Sequence, residues 1–213
     1  MVRGGVPYSS AGAMPRTPQL RIAVDLTSYA QLAVRLVNTA AGVDTETDQL
    51  GTTGAFRAFL DDDPQLRGPW THHDLDALRM LRAELTTIFT AAAERDHATA
   101  AERLNALLVQ YPVRPVLVRH DRSGWHLHLD DGGSVTDRYA AGAVSGLAMA
   151  VTQFGMNHLG ICAIPGCRGA FVNLGPSRVS RYCPKHAPSK VNVTAFRNHR
   201  RPASGYPAST AVG

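Results

Sequence analysis

All three cysteines of the 213-residue chain fall between Cys162 and Cys183, and His186 follows them in the pattern Cys-x4-Cys-x15-Cys-x2-His. Two close pairs separated by a loop long enough for a hairpin can enclose one tetrahedral ion, and three thiolates with one imidazole suit Zn2+. Pro165-Gly166, inside the first pair, can make the tight turn that lets the flanking sulfurs converge. The odd cysteine count argues against a disulfide framework. The alternative, buried thiols acting as small hydrophobes, leaves the paired spacing unexplained. The expected ligands are therefore Cys162, Cys167, Cys183 and His186, with His199 and His158 as histidines that could fold back as the fourth donor instead. So short a segment buries no core of its own, and metal would supply much of its folding free energy, about 10–16 kcal/mol in comparable finger peptides.

Charge is the second constraint. The net charge of +5 is the sum of two unlike parts: residues 1–137 carry 13 Lys+Arg against 17 Asp+Glu, and residues 138–213 carry 9 cations and no acid. A solvated surface normally mixes signs, so a tail without carboxylates points to an anionic partner, nucleic acid foremost, with a basic solubility tail as the alternative. Three bound thiolates would leave a zinc site with one negative charge, which lowers the tail's charge without reversing it.

Along the chain, residues 1–19 are rich in Gly, Pro and Ser, lack the apolar run of a secretory signal, and read as disordered. Leu20–Leu26 could be a short strand. Thr27 or Ser28 can then cap a helix with Leu32, Leu36 and Val37 on one face, ending near Gly42. A short helix holds Phe56, Phe59 and Leu60. Thr71-x-x-Asp74 has the form of a capping box, and Leu75, Leu78, Leu81, Leu85, Ile88/Phe89 and Ala92 follow at helical spacing. A helix over 98–110 packs antiparallel to it, with Leu104, Leu107 and Leu108 inward. Val113–Leu129 alternates around Asp121–Gly124 as a hairpin. A helix capped by Ser134 or Thr136 runs to Phe154, and its Gly142 and Gly146 allow close helix contact, within this domain in preference to a dimer. Gly155 leaves a linker of about six residues before Cys162, holding the finger near the helices. In the finger, Gly169–Leu174 and Val179–Tyr182 read as two strands, with Phe171 and Tyr182 beside the metal, and a helix from Pro188 to Arg201 follows.

The run Cys162, Cys167, Arg168, Phe171, Arg178, Arg181, Tyr182, Cys183, then a basic stretch ending Arg197-Asn198-His199-Arg200-Arg201, resembles the CGNR zinc finger. That finger forms the C-terminal end of bacterial stress-induced transcription regulators, behind a mostly helical domain called ABATE. Leu32-Ala-Val-Arg-Leu-Val-Asn-Thr39 is similar to the same family's early Leu-x-x-x-Phe-Val-Asn-Thr pattern. Where the family has its fourth cysteine and the Gly-Asn-Arg that name it, this chain has Pro188-Ser189-Lys190-Val191. Either His186 replaces the missing sulfur, or the site is degenerate and binds metal weakly.

The expected fold class is α+β: a mostly helical ABATE-like domain over 20–155 with one β-hairpin, then a small treble-clef-like finger over 158–201 made of a hairpin and a basic helix, with a disordered tail over 203–213. The leading function is a cytoplasmic transcription regulator whose finger grips double-stranded DNA through Arg178, Arg181, Lys185, Lys190, Arg197, Arg200 and Arg201, with Asn198 or an arginine able to read a base. The resemblance implies that the helical domain senses a small-molecule effector or forms a homodimer. The competing reading is a zinc-stabilised structural or protein-interaction module without DNA binding. No apolar run reaches the length of a membrane span. An enzyme is not expected: the chain has no Gly-x-Ser-x-Gly, P-loop, Gly-x-Gly-x-x-Gly or His-Glu-x-x-His, and no His-x-Glu of a zinc deaminase.

Overall fold

A computed structural model of the chain describes residues 26–43, 45–62, 68–119, 126–129, 133–175 and 180–187. Five helices carry most of it: α1 Leu26–Asn38, α2 Thr53–Asp61, α3 His72–Ala93, α4 His97–Gln110 and α5 Val135–Phe154. Two antiparallel strand pairs complete it, β1 Pro115–Val118 with β2 His126–Leu129, and β3 Leu159–Ile161 with β4 Ala170–Val172. Among the described residues, no helix is long and apolar enough to cross a membrane.

The long helices start where their caps require. Thr71 and Ser134 each accept from the backbone N–H three residues on, and Asp74 and Asp137 reach back to the cap N–H, so α3 and α5 both open on complete capping boxes. Each box satisfies two amide groups that a helix N-terminus otherwise leaves without partners. Helix α3 buries Leu75, Leu78, Leu81, Leu85, Ile88, Phe89 and Ala92, the stripe its 3.6-residue period predicts. Helix α1 begins at Leu26, so Thr27 and Ser28 lie inside its first turn rather than capping it, and Leu26 is helical rather than the end of a strand. The rest of that expected strand, 20–25, lies outside the described residues.

Among the described residues, helices α1 and α5 approach each other most closely. Gly146 lies so close to α1 that a Cβ there would sit 2.4 Å from both Ala30 N and the Tyr29 carbonyl carbon, and one at Gly142 would meet Tyr29 Cδ1 at 3.0 Å. The small-residue face of α5 is therefore covered by a helix of its own chain, as favoured above. Tyr139 crosses the same seam and donates its hydroxyl to Leu32 O at 2.8 Å. The loop after α1 is held to α3 by Arg82, which grips both carboxylate oxygens of Asp48 at 2.7 and 2.8 Å and donates to Thr39 Oγ1 at 3.0 Å. Arg79 donates to Leu50 O.

The second strand pair differs from the expected one. Its ladder joins Leu159 to Val172, Gly160 to Phe171 and Ile161 to Ala170, so half of it comes from the segment read as a linker. Of the strand expected over 179–182, Val179 lies outside the described residues, and 180–182 forms no ladder. It is tied down instead by the Asn173 carboxamide, which bonds Ser180 N and O, and by Ala163 N donating to Arg181 O. The cause is geometric. The Cys162–Cys167 turn reverses the chain and brings 170–172 back beside 159–161, and a ladder closed by so short a turn needs little loop entropy. Leu159, Ala170 and Val172 join the same hydrophobic cluster as α1 and α3.

Candidate metal centre

Each of the four donors sits on a small, well-defined piece of backbone. Cys162 follows β3 directly, its N–H donating to Gly169 O at 2.8 Å. Ile164-Pro165-Gly166-Cys167 makes a tight turn closed by Cys167 N to Ile164 O at 3.0 Å, with Gly166 at φ +80°, the position a type II turn reserves for glycine. After Cys183 the chain turns at once, His186 N and Ala187 N both donating to Cys183 O, and this returns the imidazole to the Cys183 sulfur three residues before it.

The result is one cluster. A ligand atom from each of Cys162, Cys167, Cys183 and His186 lies within 4.8 Å of the others, and the group can hold a metal ion. His186 Nδ1 is 3.5 Å from Cys162 Sγ and 3.4 Å from Cys183 Sγ, and Cys167 Sγ is 3.9 Å from Cys183 Sγ. Zinc–sulfur bonds of about 2.3 Å and zinc–nitrogen bonds of about 2.0–2.1 Å set tetrahedral edges of about 3.8 Å between sulfurs and about 3.6 Å from sulfur to nitrogen. The donors thus suit a tetrahedral ion in number and type, and these three edges match its spacing. Cys162 and Cys183 are buried and Cys167 and His186 half-buried, so water has limited access.

The thiols are electrostatically unequal. Burial pushes the Cys162 thiol up, but hydrogen bonds from the backbone of Cys183 and Ile164 and from the His186 ring outweigh it and bring the group down to about 7. Burial, reinforced by the sulfurs of Cys162 and Cys167, pushes Cys183 up to about 11. A cation bound here would displace protons the cluster otherwise keeps.

His158, one of the alternative fourth donors, is placed elsewhere: its Nδ1 pairs with Asn173 O at 2.9 Å and its ring stacks on Phe154. His199, the other, lies outside the described residues. So do Arg178, Lys190, Arg197, Asn198, Arg200, Arg201 and the expected helix over 188–201. Of the proposed phosphate contacts, Arg181 and Lys185 are both exposed, and Lys185 also donates Nζ to Val43 O at 2.7 Å. Phe171 is buried over Gly160, where a Cβ would lie 2.7 Å from the ring, while Tyr182 remains 37 % exposed.

Two residues matter here that spacing alone gave no role. Asn38, buried at the end of α1, receives Ala170 N–H on Oδ1 at 2.7 Å and donates Nδ2 to Ala170 O at 3.2 Å, behaving as one more strand residue beside β4. The signal was present, since Asn38 is a polar residue on the buried stripe of an amphipathic helix. Gly169 packs between the cluster and the loop after α1: a Cβ there would meet Cys183 Sγ at 2.9 Å and Val43 Cγ1 at 3.0 Å.

A mostly helical domain with a Cys3His group fastened to its first and third helices is the class this architecture defines. The chain belongs to the ABATE family, which matches residues 30–154 and carries the description "putative stress-induced transcription regulator". The cluster beyond that match is consistent with a CGNR-like zinc site. No curated protein matches the chain.

Proposed function

We propose that this chain is a DNA-binding transcription regulator in which zinc, held by Cys162, Cys167, Cys183 and His186, fixes the finger so that the basic chain around and after it meets the phosphate backbone. The observation that carries the reading is the coincidence of a tetrahedral donor set with a region that holds nine cations and no carboxylate. Arg178, Arg181, Lys190, Arg197, Arg200 and Arg201 supply the phosphate contacts, with Asn198 able to reach a base edge. Lys185 is exposed, and its ammonium, which gives one N–H to Val43 O, keeps donors for a further contact. Four protein donors leave no open coordination position, which supports a structural ion and no catalysis. The helical domain would sense an effector or dimerise, and the family description supports a regulator of this kind.

The test is fluorescence anisotropy of a labelled duplex over a salt series, with and without chelator. The expected result is metal-dependent binding with a slope of log K against log salt corresponding to about 4–7 phosphates. No binding at low salt by a protein carrying one tightly held zinc would overturn it. One observation favours a second reading: the finger is locked into the helical core through Asn38, Lys185 and β3, as a structural clasp would be. That reading predicts zinc retention and loss of fold on chelation without any affinity for DNA.

A further inference from the structure

Between the C-terminus of α3 and the outer side of the finger lies an open groove of about 630 Å³. Small-molecule sites occupy roughly 300–1,000 Å³ and combine apolar walls with a few convergent polar groups. Its floor is Ile161 with the edges of the buried Leu159 and Phe171, its sides carry the polar Asn157 and Ser180, and Arg95 and Arg181 stand on it, one from the helical domain and one from the finger. Among the described residues, no carboxylate lines it. Among the described residues, neither guanidinium forms an ion pair. The acidic neighbours of Arg95 do not neutralise the groove: Asp96 is turned to the N-terminus of α4, where it accepts from Thr99 N, and Glu94 does not line the cavity.

Arg95 carries a second sign. It ends α3 in a Schellman motif, Asp96 N bonding Ala91 O and Arg95 N bonding Ala92 O, and its φ is +67°. Glycine takes this position at lower cost, and among the described residues Arg95 is the one non-glycine residue with positive φ. The strained backbone sets an arginine beside the groove where, among the described residues, its charge has no ion-pair partner. Strain kept at a ligand-facing position is a pointer to function.

We propose that the groove binds a small organic anion, with an apolar body against Leu159, Ile161 and Phe171 and a carboxylate or phosphate head held by Arg95 and Arg181. Guanidinium groups suit both heads, because their planar donors match either oxyanion. The ligand would touch α3 and, through Arg181, the segment whose backbone O receives Ala163 N beside Cys162, so it bridges the two parts of the molecule. The inference does not depend on DNA binding, and its test contains no nucleic acid.

The full chain is titrated calorimetrically with phenyl phosphate, with benzoate and with inorganic phosphate, alongside Arg95→Gly and Arg181→Gln. The expected result is saturable binding of at least one organic anion, about tenfold tighter than inorganic phosphate and weakened about fivefold or more by each substitution. Phenyl phosphate against benzoate then identifies the head group. Arg95→Gly removes the backbone strain and is expected to melt no lower than the parent, which separates lost binding from lost fold. Absence of binding by both organic anions, equal binding of inorganic phosphate, or titrations unchanged in both variants would each overturn the proposal.

Discussion

At the scale of single residues, the contacts that matter most are those that join distant parts of the chain through one side chain. Asn38 holds both backbone groups of Ala170, 132 residues away. Asn38→Ala leaves a buried donor and acceptor without partners, at about 1–3 kcal/mol each, and is expected to lower stability by about 3 kcal/mol in urea denaturation. Gly169→Ala acts differently: its methyl would press on Cys183 Sγ, so the expected loss is in metal affinity, about tenfold or more in chelator competition, with the helices intact. Asp48 supplies the pH dependence. The hydrogen bond from Arg82 is the main cause that holds its carboxyl below the ordinary 3.8. A depressed folded value means that the contribution is complete above the unfolded value and fades as pH falls through the folded one. Asp48→Asn should therefore cost about 1 kcal/mol at pH 7, and its deficit relative to the parent should shrink progressively as pH falls below 3.8 in melts across a pH series.

At the scale of elements, what could be read from the sequence followed from local rules. The α3 stripe and its Thr71–Asp74 box are set by a periodicity and a cap within one segment, and the structure has both. The Cys162–Cys167 turn was equally legible, since Pro165-Gly166 encodes it in two residues. The pairing of Leu159–Ile161 with Ala170–Val172 was not, because a three-residue strand has no period to detect and its partner is chosen by the turn and by the core beneath. The placement of the α5 glycines required knowing which helix arrives. Gly146→Ala measures how closely α1 does so: the gain in helix propensity of about 1 kcal/mol is expected to be exceeded by overpacking, giving a net loss of about 1–3 kcal/mol by thermal denaturation.

At the scale of the whole molecule, the finger and the helices share one hydrophobic cluster, with Leu159, Ala170 and Val172 beside residues of α1 and α3. Metal removal should therefore reach the helices: the far-ultraviolet helical signal is expected to melt at lower temperature after chelation, whereas an unchanged melt would mean that the two parts are energetically separate. The Asn38–Ala170 bridge carries a consequence for how such a protein can be rearranged. A cut at Gly155, where the helix ends and a recombination event would find its natural seam, severs Asn38 from the strand it completes and β3 from the wall it builds. The two parts are one inheritance. A finger grafted from this chain onto another scaffold would arrive without its edge, and the helical domain left behind would keep a carboxamide with nothing to hold.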